Sequence, residues 1–223
     1  MLTECEGLVV ELLNALQWRY ATKRMTGAEV PSEKVDRILE AIQLAPSCFG
    51  LQPYSVIVVK DPEQRSRIRE QAANQPQVEE CSHLLVFAAW DPVEDQSVTD
   101  WVGRVAEVRD LPVESLSGLQ ATIAGSVGPR SREERFQWAV RQAYIGLGMA
   151  VAAAATMEVD ASPMEGFSPE ALDECLGLRA RALRSVVLLA LGYRDAKSDR
   201  YASAKKVRWP REKTILQWPF DRR

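Results

Sequence analysis

Leu8, Leu12, Leu13 and Leu16 recur at helical spacing, so residues 6–18 are expected to form an amphipathic helix ending near Trp18-Arg19-Tyr20. A second helical stripe, Val35, Ile38, Leu39 and Ile42, follows Pro31 with Ser32 placed to cap it. It stops at Ala45-Pro46, where proline disfavours the helical conformation of the preceding residue. The pattern then changes. Tyr54–Lys60 (YSVIVVK) is β-branched and nearly continuous in apolarity, as in a strand covered on both faces, and His83–Trp90 (HLLVFAAW) and Arg184–Tyr193 (RSVVLLALGY) are further strand-like runs.

Between these runs, Asp61-Pro62-Glu63 opens a helix with proline in its first turn. Residues 91–130 carry two helical stretches divided around Leu111-Pro112 and closed by Gly125 to Pro129. Ser131 and Glu134 form a capping box for a long helix running to about Met157, and its small, apolar interior (QAYIGLGMAVAAAA) predicts a central buried helix. Ser162 to Phe167 reads as a turn, and Ser168-Pro169-Glu170 starts a short helix ending at Gly177. The last thirty residues are polar, basic and aromatic. No repeat and no Gly/Ser/Pro-rich linker divides the chain, so residues 1–223 are expected to form one α+β domain with a helix-rich shell and a long tail.

Composition narrows the function. Of 223 residues, 46% are hydrophobic and 26% charged, which is ordinary globular composition. A formal charge of −3 gives no overall basic field for nucleic acid. With a single histidine, His83, multi-histidine metal sites are excluded, and no metal is expected. His83 opens a buried strand with no acid in a recognisable motif beside it, so a structural, hydrogen-bonded role is favoured. Cys5, Cys48, Cys81 and Cys175 are scattered, which favours reduced thiols. The acidic N-terminus does not resemble a signal peptide, and no run reaches the roughly 20 apolar residues of a membrane span. The expectation is a soluble, cytoplasmic protein with neither membrane nor nucleic acid as partner.

Phosphate-loop and nucleophile-elbow motifs are missing, and Gly146-Leu147-Gly148 lies inside the long helix, where packing explains it better than dinucleotide binding. Four segments remain: Arg19-Tyr20-Ala21-Thr22-Lys23; Pro46-Ser47-Cys48-Phe49-Gly50-Leu51-Gln52-Pro53; Pro163-Met164-Glu165-Gly166-Phe167; and Lys206-Val207-Arg208-Trp209-Pro210. Each alone has an ordinary explanation as a helix end, a turn or a solvated charge cluster. Together, in this order and at these separations, they resemble the signature segments of the nitroreductase family of FMN-dependent NAD(P)H oxidoreductases, and are most similar to the oxygen-insensitive nitroreductase and dihydropteridine reductase branch.

The resemblance implies a nitroreductase-like fold, a central, mostly antiparallel sheet surrounded by helices, and a homodimer with FMN at the interface. The C-terminal arm, about 195–223, would then complete the partner subunit. It also implies roles. Arg19, Lys206 and Arg208 would hold the FMN phosphate, for which arginine offers a planar fork of donors. Lys23 would lie near the pyrimidine edge of the flavin as a catalytic cation. Ala21, Ser47, Cys48, Gly50, Asn74 and Gln142 match cofactor-facing positions, and Gln52 matches the glutamine of the same loop. Pro163, Met164, Glu165 and Gly166 match the segment along the ring, with the Glu165 backbone N–H directed to N5.

This chain departs from the family pattern where Ala21 and Cys48 replace serines, Gly50 an asparagine and Gln77 a lysine. Each departure alters one polar contact, worth roughly 0.5–1.5 kcal/mol, so FMN binding is expected to survive while substrate range shifts. The implied activity is ping-pong hydride transfer from NADH or NADPH to nitroaromatics, quinones or similar electron-poor acceptors. A flavin carrier or sensor without turnover, and a specialised flavin or pteridine reductase, stay open as alternatives.

Overall fold

The computed structural model describes residues 4–219. In chain order the elements are helices α1 (Glu4–Trp18) and α2 (Ser32–Gln43), strand β1 (Tyr54–Val59), helices α3 (Pro62–Gln71) and α4 (Pro76–Glu80), and strand β2 (His83–Trp90). Helices α5 (Asp95–Arg109), α6 (Ser117–Val127) and α7 (Arg132–Thr156) follow, then β3 (Asp160–Met164), α8 (Pro169–Leu176), β4 (Leu183–Gly192) and the short α9 (Arg211–Thr214). The architecture is α+β. Among the described residues the strands form one antiparallel sheet in the order β1-β2-β4-β3.

Alternation along the central strands divides the core. Leu84, Val86 and Ala88 of β2 and Leu188 and Ala190 of β4 face Ile68 of α3, Val78 of α4 and Leu172 of α8. Leu85, Phe87, Leu189 and Leu191 point the other way, onto Val35, Ile38 and Ile42 of α2 and Leu147, Ala150 and Ala154 of α7. A third cluster joins α5 and α6 to the start of α7 through Val98, Val102, Ile123, Phe136 and Trp138. Residues 91–130 thus form a helical layer at one end of the sheet.

The Ser131–Glu134 capping box is present in full, with Ser131 Oγ accepting from Glu134 N at 3.3 Å and Ser131 N donating to Glu134 Oε2 at 2.8 Å. His83 is buried, its Nδ1 lying 2.8 Å from Ser82 Oγ, and desolvation holds its pKa below the ordinary value, which fits a structural role. Three expectations need correction, and one element, α4, has no counterpart in the sequence pattern. Residues 160–164 are a strand, not part of a turn: β3 lies at the sheet edge, where Pro163 can be accommodated. Residues 76–80 form α4, a single turn opened by proline and too short to show a periodic pattern. Ser32 caps nothing through its side chain, since Pro31 takes the cap position of α2. Finally, β1 is an edge strand, mostly half-buried, with Val58 40% exposed.

The apolar stripe of α1 is the other departure. Leu8 is 66% and Leu13 56% exposed, and Leu12 and Leu16 are also uncovered, so this chain alone does not bury the face that its sequence prepares. Val207 and Trp209 of the C-terminal arm are likewise exposed, while Phe220 lies outside the described residues.

The close approach expected at the small-residue helix is real at Gly146, where a Cβ would lie 2.7 Å from Tyr54 Oη and 3.1 Å from its Cζ. Gly146→Leu is therefore expected to destabilise the fold by about 1–3 kcal/mol through overpacking. Gly103→Ala in α5, where a Cβ meets nothing within 4 Å, should stabilise it by about 0.5–1 kcal/mol. Urea unfolding of the two variants checks both signs.

Candidate cofactor site

Residues 19–24 leave the end of α1 and are fastened to the sheet by two carboxylates. Asp160, at the start of β3, is buried and accepts from Thr22 Oγ1 at 3.1 Å, from Arg194 N at 2.8 Å and from Arg194 Nη2 at 2.6 Å. Asp199, also buried, accepts from the backbone N–H of Lys23 at 2.7 Å, from Tyr20 Oη at 3.1 Å and from Tyr201 N at 2.9 Å. Burial pushes the Asp199 carboxyl up, but these hydrogen bonds together outweigh it and leave its pKa below the ordinary value. Burial and the bond to Asp199 push the Tyr20 phenol up to about 12.

Fixed in this way, the segment forms one wall of a cleft of about 530 Å³, and the tail after β4 forms the other. Arg19, Ala21 and Lys23 line it, together with Lys205, Lys206, Arg208 and Arg194, and among the described residues no carboxylate lines it. The sequence-predicted phosphate residues are thus brought together from positions nearly two hundred residues apart. Arg19 is half-buried and its Nε has no hydrogen-bond partner. Burial, followed by repulsion from Arg208, lowers its pKa. Lys206 is also lowered, by burial and then by Arg19 and Arg208. Two of its three donors go to the carbonyls of Leu16, at 2.7 Å, and Arg19, at the end of α1. The Lys23 ammonium has no hydrogen bond or ion pair among the described residues. Mutually repelling cations with an orphaned guanidinium N–H fit a bound oxyanion such as a phosphate.

The Pro163–Gly166 segment ends β3 beyond this wall. Pro163 and Met164 pair with Leu189 and Leu188 of β4, and the Met164 side chain is buried. Glu165 and Gly166 are exposed, and among the described residues neither backbone N–H donates a hydrogen bond. Two free main-chain donors, one of them on a glycine that has no Cβ, suit the edge of a flat heterocycle. Tyr144 of α7 donates a short hydrogen bond to the Glu165 carboxylate, and burial, then Glu165, raise its pKa. Asn74 is exposed in the loop between α3 and α4. Gln77, read from the sequence as a substituted polar position, is buried.

Ser47, Cys48, Gly50 and Gln142 form a separate cluster that does not line the cleft. Gln142 Oε1 accepts from Cys48 N at 2.9 Å, and Ser47 Oγ accepts from Gln52 N at 2.9 Å. Gly50 has φ +74°, and a Cβ there would lie 2.8 Å from Trp101 Cζ2. The asparagine common in related sequences would not fit under that indole, whose Nε1 donates to Phe49 O at 3.0 Å. Asp160, Asp199 and Trp101 escaped the sequence reading because their partners are remote in the chain. No local spacing marks them.

A family model, the nitroreductase family, matches residues 16–193. The chain belongs to the nitroreductase family. It is 28% identical to the oxygen-insensitive NAD(P)H nitroreductase of Salmonella typhimurium, over 93% of this chain and 100% of that one. It is also 28% identical to the major NAD(P)H-flavin oxidoreductase of Aliivibrio fischeri, over 88% and 94%. A crystal structure of a candidate nitroreductase from Exiguobacterium sibiricum in complex with FMN superposes with a TM-score of 0.77 at 20% identity, covering 92% of this chain and 95% of that one. No helix among the described residues is long and apolar enough to cross a membrane.

Inorganic phosphate is expected to raise the thermal midpoint of the wild-type protein, less so at high salt, and to lose this effect in Arg19→Ala. Without an anion, the lowered Lys206 pKa means that the unfolded chain binds more protons than the native one between that value and 10.5. Tyr20 and Tyr144, with their raised pKa values, work the other way, so the Lys206 contribution is read as the difference in urea-unfolding stability between wild type and Lys206→Met; that difference should rise with pH across the window, and phosphate should flatten it.

Proposed function

We propose that the cationic cleft holds the phosphate of FMN and that the Glu165–Gly166 backbone meets the edge of its ring. As a member of the nitroreductase family, the chain is an NAD(P)H-dependent oxidoreductase. The single observation that carries the FMN reading is the convergence of Arg19, Lys23, Lys206 and Arg208 on a cleft that no carboxylate lines among the described residues, with Arg19 Nε buried and unpartnered. When bound, FMN would supply hydride-transfer redox chemistry between NADH or NADPH and a nitroaromatic, a quinone or a similar electron-poor acceptor, donor and acceptor using the site in turn.

The chain's own residues bind and orient. Arg19 and Arg208 offer charge-assisted donors to the phosphate, and the remaining donor of Lys206 adds a third cation. Lys23, placed by Asp199 through its backbone, brings a positive charge to the site that favours negative charge on the ring. The free N–H groups of Glu165 and Gly166 orient the ring edge. Protons can come from solvent, consistent with a site that uses no histidine.

The separate Ser47–Gly50 and Gln142 cluster fits a homodimer in which a second copy of the chain completes the cofactor pocket. The uncovered stripe of α1 and the exposed Val207 and Trp209 of the arm supply apolar surface for that contact. A single domain spanning the chain, with residues from about 195 wrapping the other copy, accounts for these features together.

Purified protein is expected to be yellow, to behave as a dimer in light scattering, and to bleach when NADH or NADPH is added without oxygen. Arg19→Ala should weaken FMN binding about 10- to 100-fold, the worth of a hydrogen bond to a charged group. A yellow protein that neither nucleotide bleaches would instead be a flavin carrier, and a colourless monomer indifferent to added FMN would sink the reading.

A further inference from the structure

The backbone of the Glu165–Gly166 loop is held from two sides by side chains that touch no part of the cationic cleft. On one side lies a relay of two amides. Gln77 is 1% exposed, an unusual burial for a primary amide, and its Nε2 donates to Gln75 Oε1 at 2.8 Å and contacts Met164 Sδ at 3.2 Å. Gln75 Nε2 in turn donates to the carbonyl of Gly166 at 2.9 Å. The polarity therefore runs in one direction, from the core at Gln77 to the loop carbonyl, and Gln77 fixes which end of the Gln75 amide faces Gly166. A second tie runs in parallel, Ser168 N donating to Ala72 O at 2.8 Å.

On the other side, Tyr144 reaches from α7 to the Glu165 carboxylate. The two supports come from different layers of the fold, the α3–α4 loop and the central helix. Between them they leave the N–H groups of Glu165 and Gly166 pointing at no protein acceptor. A Cβ at position 166 would lie 3.2 Å from Gln75 Nε2, so glycine here also admits the relay. A loop that only had to close the chain between β3 and α8 would need neither a buried amide nor a tyrosine to hold an exposed peptide.

We infer that Gln77 and Gln75, with Tyr144 opposite, are positioning residues that set the direction of the Glu165–Gly166 main-chain donors toward the flavin. The inference rests on the FMN reading above. Because the phosphate is anchored by a different part of the chain, loosening this loop should alter how the ring is presented more than how tightly the cofactor is held. That split separates a positioning role from general support of the fold.

The test uses the full chain, with and without FMN, as wild type, Gln75→Leu and Tyr144→Phe; both substituted side chains are only partly buried, so the fold should survive. Amide hydrogen exchange at Phe167 and Ser168 is expected to quicken about three- to tenfold in Gln75→Leu, the worth of one neutral hydrogen bond, with β2 and β4 amides unchanged. The anaerobic rate of flavin reduction by NADH should fall by a similar factor in both variants while FMN affinity moves less than about twofold. Unchanged loop exchange in a Gln75→Leu protein that binds FMN normally would overturn the relay. Faster exchange throughout the sheet, or FMN affinity falling as much as the reduction rate, would also overturn it by assigning these residues to general stability. Wild-type protein that binds no FMN would overturn the functional assignment and the relay's service to a flavin, while loop exchange would still decide whether the relay holds the loop.

Discussion

The site depends on several cations lining one cleft without an acid among its described lining residues, while two buried carboxylates beside it are engaged elsewhere. Neither Asp160 nor Asp199 forms an ion pair with Arg19, Lys206 or Arg208 among the described residues; Asp199 holds the backbone of Lys23 and Tyr201, and Asp160 holds Thr22 and Arg194. Because the carboxylates are spent on backbone N–H groups and one framework arginine, the cleft keeps its positive charge. The cost shows in the lowered pKa values of Arg19 and Lys206. A fold that was only minimising its energy would place an acid among these cations. Leaving them exposed to mutual repulsion makes sense where an anion completes the set.

That arrangement links the distant parts of the molecule. Thr22 and Arg194 meet on Asp160 at the start of β3, and β3 ends at Met164, beside the loop whose main chain is held by Gln75 and Tyr144. The phosphate end and the ring end of the proposed cofactor site are therefore opposite ends of one short edge strand. Its pairing with β4 sets the distance between them. The helical layer formed by α5 and α6 acts elsewhere, packing Trp101 onto Gly50 and shaping the loop that a second copy of the chain would contribute.

Much of this was legible in the sequence where signals were local. The capping box at Ser131, the stripe of α2 and the continuous apolar runs of β2 and β4 appear in the structure at their expected places, and the Arg19–Lys23 and Lys206–Arg208 segments line one cleft. What stayed hidden was of two kinds. The strand β3 was obscured by Ser162 and Pro163, residues that favour turns and are tolerated there because the strand lies at the edge. The organising carboxylates and the Gln77–Gln75 relay were invisible because their meaning depends on remote partners, Tyr20 179 residues from Asp199 and Gly166 91 residues from Gln75, which no spacing rule reaches. The α1 stripe is amphipathic in sequence, yet no cover for it is found among the described residues.

The account stands on the claim that the cationic cleft recognises a phosphate. The most direct measurement compares FMN with riboflavin, which carries the same ring without the phosphate, by calorimetric titration into the cofactor-free protein. FMN should bind at least about a hundredfold more tightly, the scale expected from losing charge-assisted hydrogen bonds to several cations, and its advantage should shrink as salt is raised. Equal affinity for the two, independent of salt, would contradict the account.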